Sequence, residues 1–251
     1  MSSGRDTLYY YLPMNSSSLI RQSPEMVAAE NARFMSKVYF WMTVGIFLSG
    51  TVSFFVGNSP ELLHLLVANQ FIFLLLIFAQ FGAVILFSAL IHRVSATGAT
   101  ALYLIYSFLT GLTLSVIFIV YTRSSIFYIF GLTAFAFAGL SAVGFFTKKD
   151  LSPIGSFCVM GLWGLVGFGL MSLFFPSLMG ETGSQVYSII GLIVFSGLTA
   201  YDTQKIKQLN ILGNFGTDED NKEAIHGALI LYLDFINLFL SLLRLMGSRR
   251  R

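Results

Sequence analysis

Seven apolar runs divide this chain, at 37–57, 69–92, 98–121, 124–147, 153–176, 185–206 and 224–246. Each is near the length of about 20 residues that a helix needs to cross the hydrocarbon of a bilayer. None alternates polar and apolar positions over about 10 residues, as barrel strands do. The pattern therefore predicts an all-α membrane protein with seven transmembrane helices. The last run, AIHGALILYLDFINLFLSLLRLM, differs from the others because it carries a polar stripe. On a helix Asp234, Asn237, Ser241 and Arg244 fall at i, i+3, i+7 and i+10, stacked along one face. An ionisable group at the bilayer centre costs roughly 2.5–3.5 kcal/mol on insertion scales, so that face cannot look at lipid. It must look at protein or water. The C-terminal helix is thus expected at the centre of the bundle, with the other apolar segments as its cover.

Composition agrees. Hydrophobic residues make up 55% of the chain and charged residues only 11%, with a mean hydropathy of +0.76. A soluble domain of this length would need a more charged exterior. Cys158 is the one cysteine, which excludes an intrachain disulfide and any cysteine-based metal cage. Residues 1–36 are polar and show no short apolar core followed by a small-residue cleavage site, so they read as a tail rather than a signal peptide. A short interfacial helix is expected within that tail, around Pro24 to Phe34. The expected organisation is a cytoplasmic tail (1–36), one seven-helix domain (37–246) and a basic C-terminal tail (247–251). The glycines of GLWGLVGFGL follow no strand and read as close helix packing rather than a phosphate loop. Nothing in the chain points to a nucleic-acid partner; the bilayer is the expected one.

Placement of Lys and Arg sets the orientation. With the N-terminus inside, the inner segments hold Arg5, Arg21, Arg33, Lys37, Arg93, Lys148, Lys149, Lys205, Lys207 and Lys222, whereas the outer loops hold only Arg123. Arg244, Arg249, Arg250 and Arg251 break the bias if the last helix crosses fully. Either it crosses against the rule or it re-enters; its length favours seven full spans.

Two carboxylates lie inside spans. Asp202 sits near the inner end of the sixth run, with Thr199 one turn before it on the same face. Asp234 lies about 9 Å into the seventh. The loop joining these runs is short, so the helices are expected to be antiparallel neighbours and the carboxyl groups to meet. Two carboxyls in contact in a low dielectric cannot both ionise cheaply, so the pair should titrate as a unit. A shared proton would hold the helices together; losing it, or replacing it with a cation, would push them apart. This marks Asp202 and Asp234 as a candidate pH sensor or cation site. The competing reading is that each merely accepts hydrogen bonds and glues the bundle. Arg93 and His92 are candidate counter-charges, with the positive-inside rule as the plainer explanation of Arg93. Asn237, Ser241, Thr199, Thr110 and Thr113 are candidate path-lining groups, although interhelical glue is the favoured reading of the last two. His64, His92 and His226 lack metal-ligand spacing, and no GxSxG nucleophile motif occurs. An intramembrane aspartyl protease would carry GxGD where this chain reads LYLD, so no enzyme is expected and no cofactor is implied.

The segments LTAYDTQ (198–204), GALILYLDFINLFLSLLRL (227–245), TKKDLS (147–152) and LTGLTLS (109–115) together resemble the Bax inhibitor-1 family, in particular its bacterial members. The resemblance runs from about residue 35 to the C-terminus. It implies a seven-helix bundle whose last helix is wrapped by the other six. It also implies a calcium leak controlled by pH through an aspartate pair, at positions matching Asp202 and Asp234. A basic latch near the end of the second helix is implied too, for which LIHRVSATG offers Arg93 or His92. Relatives are linked to suppression of cell death or to regulation of a membrane protease. The alternative to a channel is therefore a non-conducting regulator that binds a membrane-protein partner through its polar tail. A bacterial inner membrane is the expected location.

Overall fold

A computed structural model describes residues 24–91 and 93–250. Its helices are α1 (Pro24–Gly57), α2 (Pro60–Ala68), α3 (Gln70–Leu90), α4 (Ala96–Leu114), α5 (Ile117–Val120), α6 (Arg123–Phe146), α7 (Ser152–Phe174), α8 (Glu181–Leu209) and α9 (Asp218–Met246), with a 3-10 turn at Pro176–Met179. Seven stretches are long and apolar enough to cross a membrane, one for each apolar run: α1, most of α3, Ala96–Val120, α6, α7, α8 and α9. Local chemistry sets many of the starts. The Ser59, Asn69, Ser95, Thr122 and Thr217 side chains accept from backbone N–H groups in the first turns of α2, α3, α4, α6 and α9.

Three local features were not legible as drawn. The stretch from Pro24 is not a separate interfacial helix but the front of α1, a single helix of 34 residues. At 1.5 Å per residue it exceeds a hydrocarbon core by about 20 Å. Its front is anchored: Asn210 Nδ2 donates to Asn31 Oδ1 (2.8 Å), Gly213 N donates to Glu30 Oε2 (3.2 Å), and Phe34 and Met35 are buried. Residues 1–23 of the expected tail lie outside the described residues. A short helix that no apolar run predicted, α2, takes Glu61 into its first turn. The third span is bent, because between α4 and α5 the amides of Ser115, Val116 and Phe118 turn to carbonyls three residues back.

Helix α9 is the most buried span, with 61% of its most apolar window buried against at most 39% for any other. It packs mainly against α1, α4, α6 and α8, while α3 leans on α4 and α7 on α8. The central helix is thus covered chiefly by four neighbours rather than six. Contact with α8 is closest where glycine stands. A Cβ on Gly227 would lie 2.7 Å from Ile206 Cγ2, and one on Gly191 would lie 2.7 Å from Ser241 Oγ. These pairings fix an antiparallel register.

The α8–α9 loop turns through Gly213 (φ 88°) and Gly216 (φ 79°), left-handed conformations that favour glycine. Gly216 N donates to Asp220 Oδ2 (2.9 Å), and Lys37 Nζ reaches the same oxygen at 2.5 Å and Asn221 Oδ1 at 2.9 Å. This clamp ties the loop to α1. At the other end of α9 the chain does not re-enter. Arg250 N donates to Val120 O (2.9 Å) and Thr122 N to Ser248 O (3.0 Å), a short antiparallel bridge with the loop ahead of α6. The last helix runs unbroken from Asp218 to Met246, long and apolar enough to cross, and its end lies at the opposite end of the bundle from the α8–α9 loop.

Candidate functional site

The polar stripe of α9 faces α8 along its length. Ser241 approaches Gly191, and the guanidinium of Arg244 lies 5.3 Å from the Tyr187 ring centroid. The register set by Ile206 against Gly227 brings Asp234 within about one turn of Asp202. Their carboxyl groups come close enough to feel each other's charge. Asp234 is only 4% exposed, and its Oδ2 has no hydrogen-bond partner. A hydrogen bond between two carboxyl groups requires that one of them carry a proton. With both ionised, the pair would confront two unscreened charges in a low dielectric.

Among the described residues, no ion pair joins a cation to Asp202 or Asp234. Arg93 is exposed in the α3–α4 turn, where Ala96 N donates to Asp218 Oδ1 (2.9 Å). That contact is at the first residue of α9, about 24 Å along the helix from Asp234. The structure therefore does not bring Arg93 to the pair. His92 lies outside the described residues.

The other expected polar residues divide into two sets. Thr199, Asn237 and Ser241 share the α8–α9 seam with the pair. Each donates to its own helix, to Phe195 O (2.7 Å), Leu233 O (2.8 Å) and Asn237 O (2.8 Å), which leaves oxygen lone pairs facing outward from the backbone. Thr110 and Thr113 lie on α4, on another flank of α9. Thr110 Oγ1 donates to Tyr106 O, and Thr113 Oγ1 accepts from Gln80 Nε2 (3.0 Å), tying α3 to α4.

Two features of this interior were missed from sequence. Cys158 of α7 is buried, and its Sγ meets α8 at Gly197, five residues before Asp202. No motif around a lone cysteine signals that. The second is a hydroxyl layer on the α1–α4 side of α9. Tyr232 OH and Ser49 Oγ are 2.6 Å apart, Ser49 Oγ donates to Ser107 O (2.8 Å), and the rings of Tyr103 and Tyr106 meet Tyr232 edge-on. Tyr at 103, 106 and 232 is a signal only once α4 is known to face α9.

Comparison with known proteins decides the family. The family model described as "Inhibitor of apoptosis-promoting Bax1" matches residues 31–251. The chain belongs to that family. Its bacterial relatives include the inner membrane protein YbhL of Escherichia coli K12, 46% identical over 218 residues, covering 86% of this chain and 92% of YbhL. A protein of Borreliella burgdorferi is 39% identical over 231 residues, covering 92% of this chain and 98% of its own length. Another, from Rickettsia prowazekii, is 38% identical over 219 residues, covering 87% and 90%. Like the inner membrane protein YbhL, the chain is a membrane protein, with seven helices long and apolar enough to cross. Among the described residues no group of three or more His, Cys, Asp or Glu converges as a metal-binding cluster. Asp202 and Asp234 can therefore offer at most four carboxylate oxygens, fewer than the 6–8 that calcium takes, and a calcium ion there would keep water or carbonyl ligands.

Proposed function

We propose that the chain is a pH-sensitive cation leak channel, with calcium as cargo and the Asp202–Asp234 pair as sensor and gate. The observation that supports it is the pair itself: two carboxyl groups against each other in an apolar bundle, one nearly fully buried with an oxygen left without a partner. A proton shared between them holds α8 to α9. When that proton leaves, the two charges repel across the seam, and a cation entering between them restores neutrality. Thr199, Asn237 and Ser241 line the same seam and supply oxygens on either side of the pair. No movement of Arg93 or His92 is required. The Lys and Arg distribution supports an N-terminus in the cytoplasm, and the inner-membrane relatives support a bacterial inner membrane.

The test is calcium flux into liposomes carrying the purified protein, from pH 5 to pH 8. Wild type is compared with Asp202→Asn and Asp234→Asn. A pH-dependent wild-type flux that either substitution flattens is expected. Absence of flux in folded wild type overturns the reading.

A second reading, a non-conducting regulator that binds a membrane-protein partner, draws support from the front of α1, where Pro24, Glu25, Ala28 and Ala29 are exposed beyond the bundle. Because Glu30, Asn31, Phe34 and Met35 hold the bundle together, the truncation that separates the readings removes residues 1–29. The channel keeps its flux; the regulator loses partner binding.

A further inference from the structure

Helices α1 and α6 both pack on α9 but not closely on each other, leaving a cavity of about 610 Å³ between them. Its walls are almost wholly apolar: Ile46 and Phe47 of α1, Phe127 and Phe130 of α6, and Phe235 and Phe239 of α9. Phe54 and Phe127 meet at its upper rim. Three further observations bear on what fills it. Gly50 lines the cavity, and a Cβ there would meet nothing within 4 Å, so the space continues to the α1 backbone. Ser53 lines it one turn further on; it is 3% exposed and its Oγ has no hydrogen-bond partner. Ser53 stands only four residues from the end of α1, or about 6 Å, which is close to the interface. At that same end Arg123 opens α6 one turn before Phe127, and Arg250 donates through its guanidinium to Phe118 O (2.9 Å), the carbonyl of another cavity-lining residue. Among the described residues, neither arginine has a carboxylate partner.

We propose that this groove binds one anionic phospholipid of the leaflet at the Tyr121 end. An acyl chain lies along Gly50, Phe47 and Phe235. An ester carbonyl accepts the orphan Ser53 hydroxyl, and the phosphate sits at Arg123 and Arg250. The groove opens sideways at bilayer depth, where acyl chains are the apolar groups at hand, and the volume is within the range of small-ligand sites. The buried hydroxyl explains why one part of the ligand must be polar, and the unpaired arginines why its head is negative. This also accounts for basic residues on the face that the positive-inside bias would leave empty.

The full chain, delipidated in mild detergent, is titrated with phosphatidylglycerol and separately with phosphatidylcholine, and retained lipid is counted by native mass spectrometry. One phosphatidylglycerol per chain is expected, preferred over phosphatidylcholine. Arg123→Gln, an exposed substitution, lowers that preference about fivefold, as expected for one arginine facing an anionic head. Gly50→Phe, built into open space, abolishes retention of both lipids while thermal unfolding shows an intact fold. Retention of lipid by Gly50→Phe at the wild-type level overturns the site. So does equal retention of the two lipids by wild type, or a lipid-free dimer in which a second copy covers the groove. If Gly50→Phe does not fold, an unchanged lipid preference in Arg123→Gln overturns the proposal by itself.

Discussion

Helix α9 carries two buried aspartates whose surroundings could hardly differ more. Asp220 is 2% exposed and Asp234 4%, and they lie 14 residues apart on one helix, about 21 Å. Asp220 has a cation at 2.5 Å, a backbone amide at 2.9 Å and the Thr217 cap beside it. Asp234 has another carboxyl and an oxygen with no partner. The first arrangement is complete and can only be damaged. The second leaves a buried carboxyl oxygen without a partner, which a strut would not need. Equal burial of the same residue type therefore carries opposite meanings, and the partners decide between them.

Breaking the complete site should cost most. Lys37→Met leaves the Asp220 carboxylate buried without its cation, and a loss of about 3 kcal/mol is expected, at the lower end for a broken buried pair because Lys37 is partly exposed. Thermal or denaturant unfolding in detergent reads it. Lys37→Met combined with Asp220→Asn removes both charges and should recover most of the loss. If the double variant is as unstable as the single, the clamp acts through shape and not through charge.

The hydroxyl layer comes next. Tyr232→Phe removes one hydroxyl from a buried contact with Ser49, for an expected cost of about 1 kcal/mol. Its pH profile of flux should match wild type, because the layer faces α1 and α4 while the carboxyl pair faces α8. A flattened profile in Tyr232→Phe would erase the distinction between the two flanks.

The incomplete site should show the reverse balance. Asp234→Asn keeps shape and mimics a neutral carboxyl, so stability in detergent at pH 7 should change by less than about 1 kcal/mol, while the pH dependence of flux disappears. A large loss of stability, comparable with that of Lys37→Met, would identify Asp234 as structural glue instead.

This contrast also shows what the sequence could tell. Asp234 announced itself, because any carboxylate in the middle of an apolar run must be explained, and the i, i+3, i+7, i+10 stripe said that it faced protein. The seven spans were legible for the same reason: hydrophobic length is a local property. The Lys37–Asp220 clamp was not, since Lys37 reads as a positive-inside residue and Asp220 as part of an acidic first turn. Their union depends on α1 continuing straight through residue 36 and on two left-handed glycines folding the α8–α9 loop onto it. Cys158 and the Ser49–Tyr232 contact were hidden likewise, because both depend on which helices are neighbours. Arg93 erred in the other direction: sequence placed it near a helix end, which is right, but the depth of the pair along α9 separates them.

The smallest effect is expected at an exposed carboxylate, which serves as the control for both buried ones. Asp150 lies in the turn before α7, where Ser152 N donates to its Oδ1 (2.9 Å). Hydrogen bonds from the Ser152 side chain and backbone hold its carboxyl below the usual carboxylate range. The folded-state value is depressed, so its contribution to stability is present above the ordinary carboxylate range and is lost as pH falls through the depressed value. Asp150→Asn should therefore lower the melting temperature slightly at pH 7, and the two proteins should converge as the pH falls below the ordinary carboxylate range. A gap that persists unchanged in acid would mean that the side chain acts by shape rather than charge. The expected gap is small because water already solvates this carboxylate, which neither Asp220 nor Asp234 can claim.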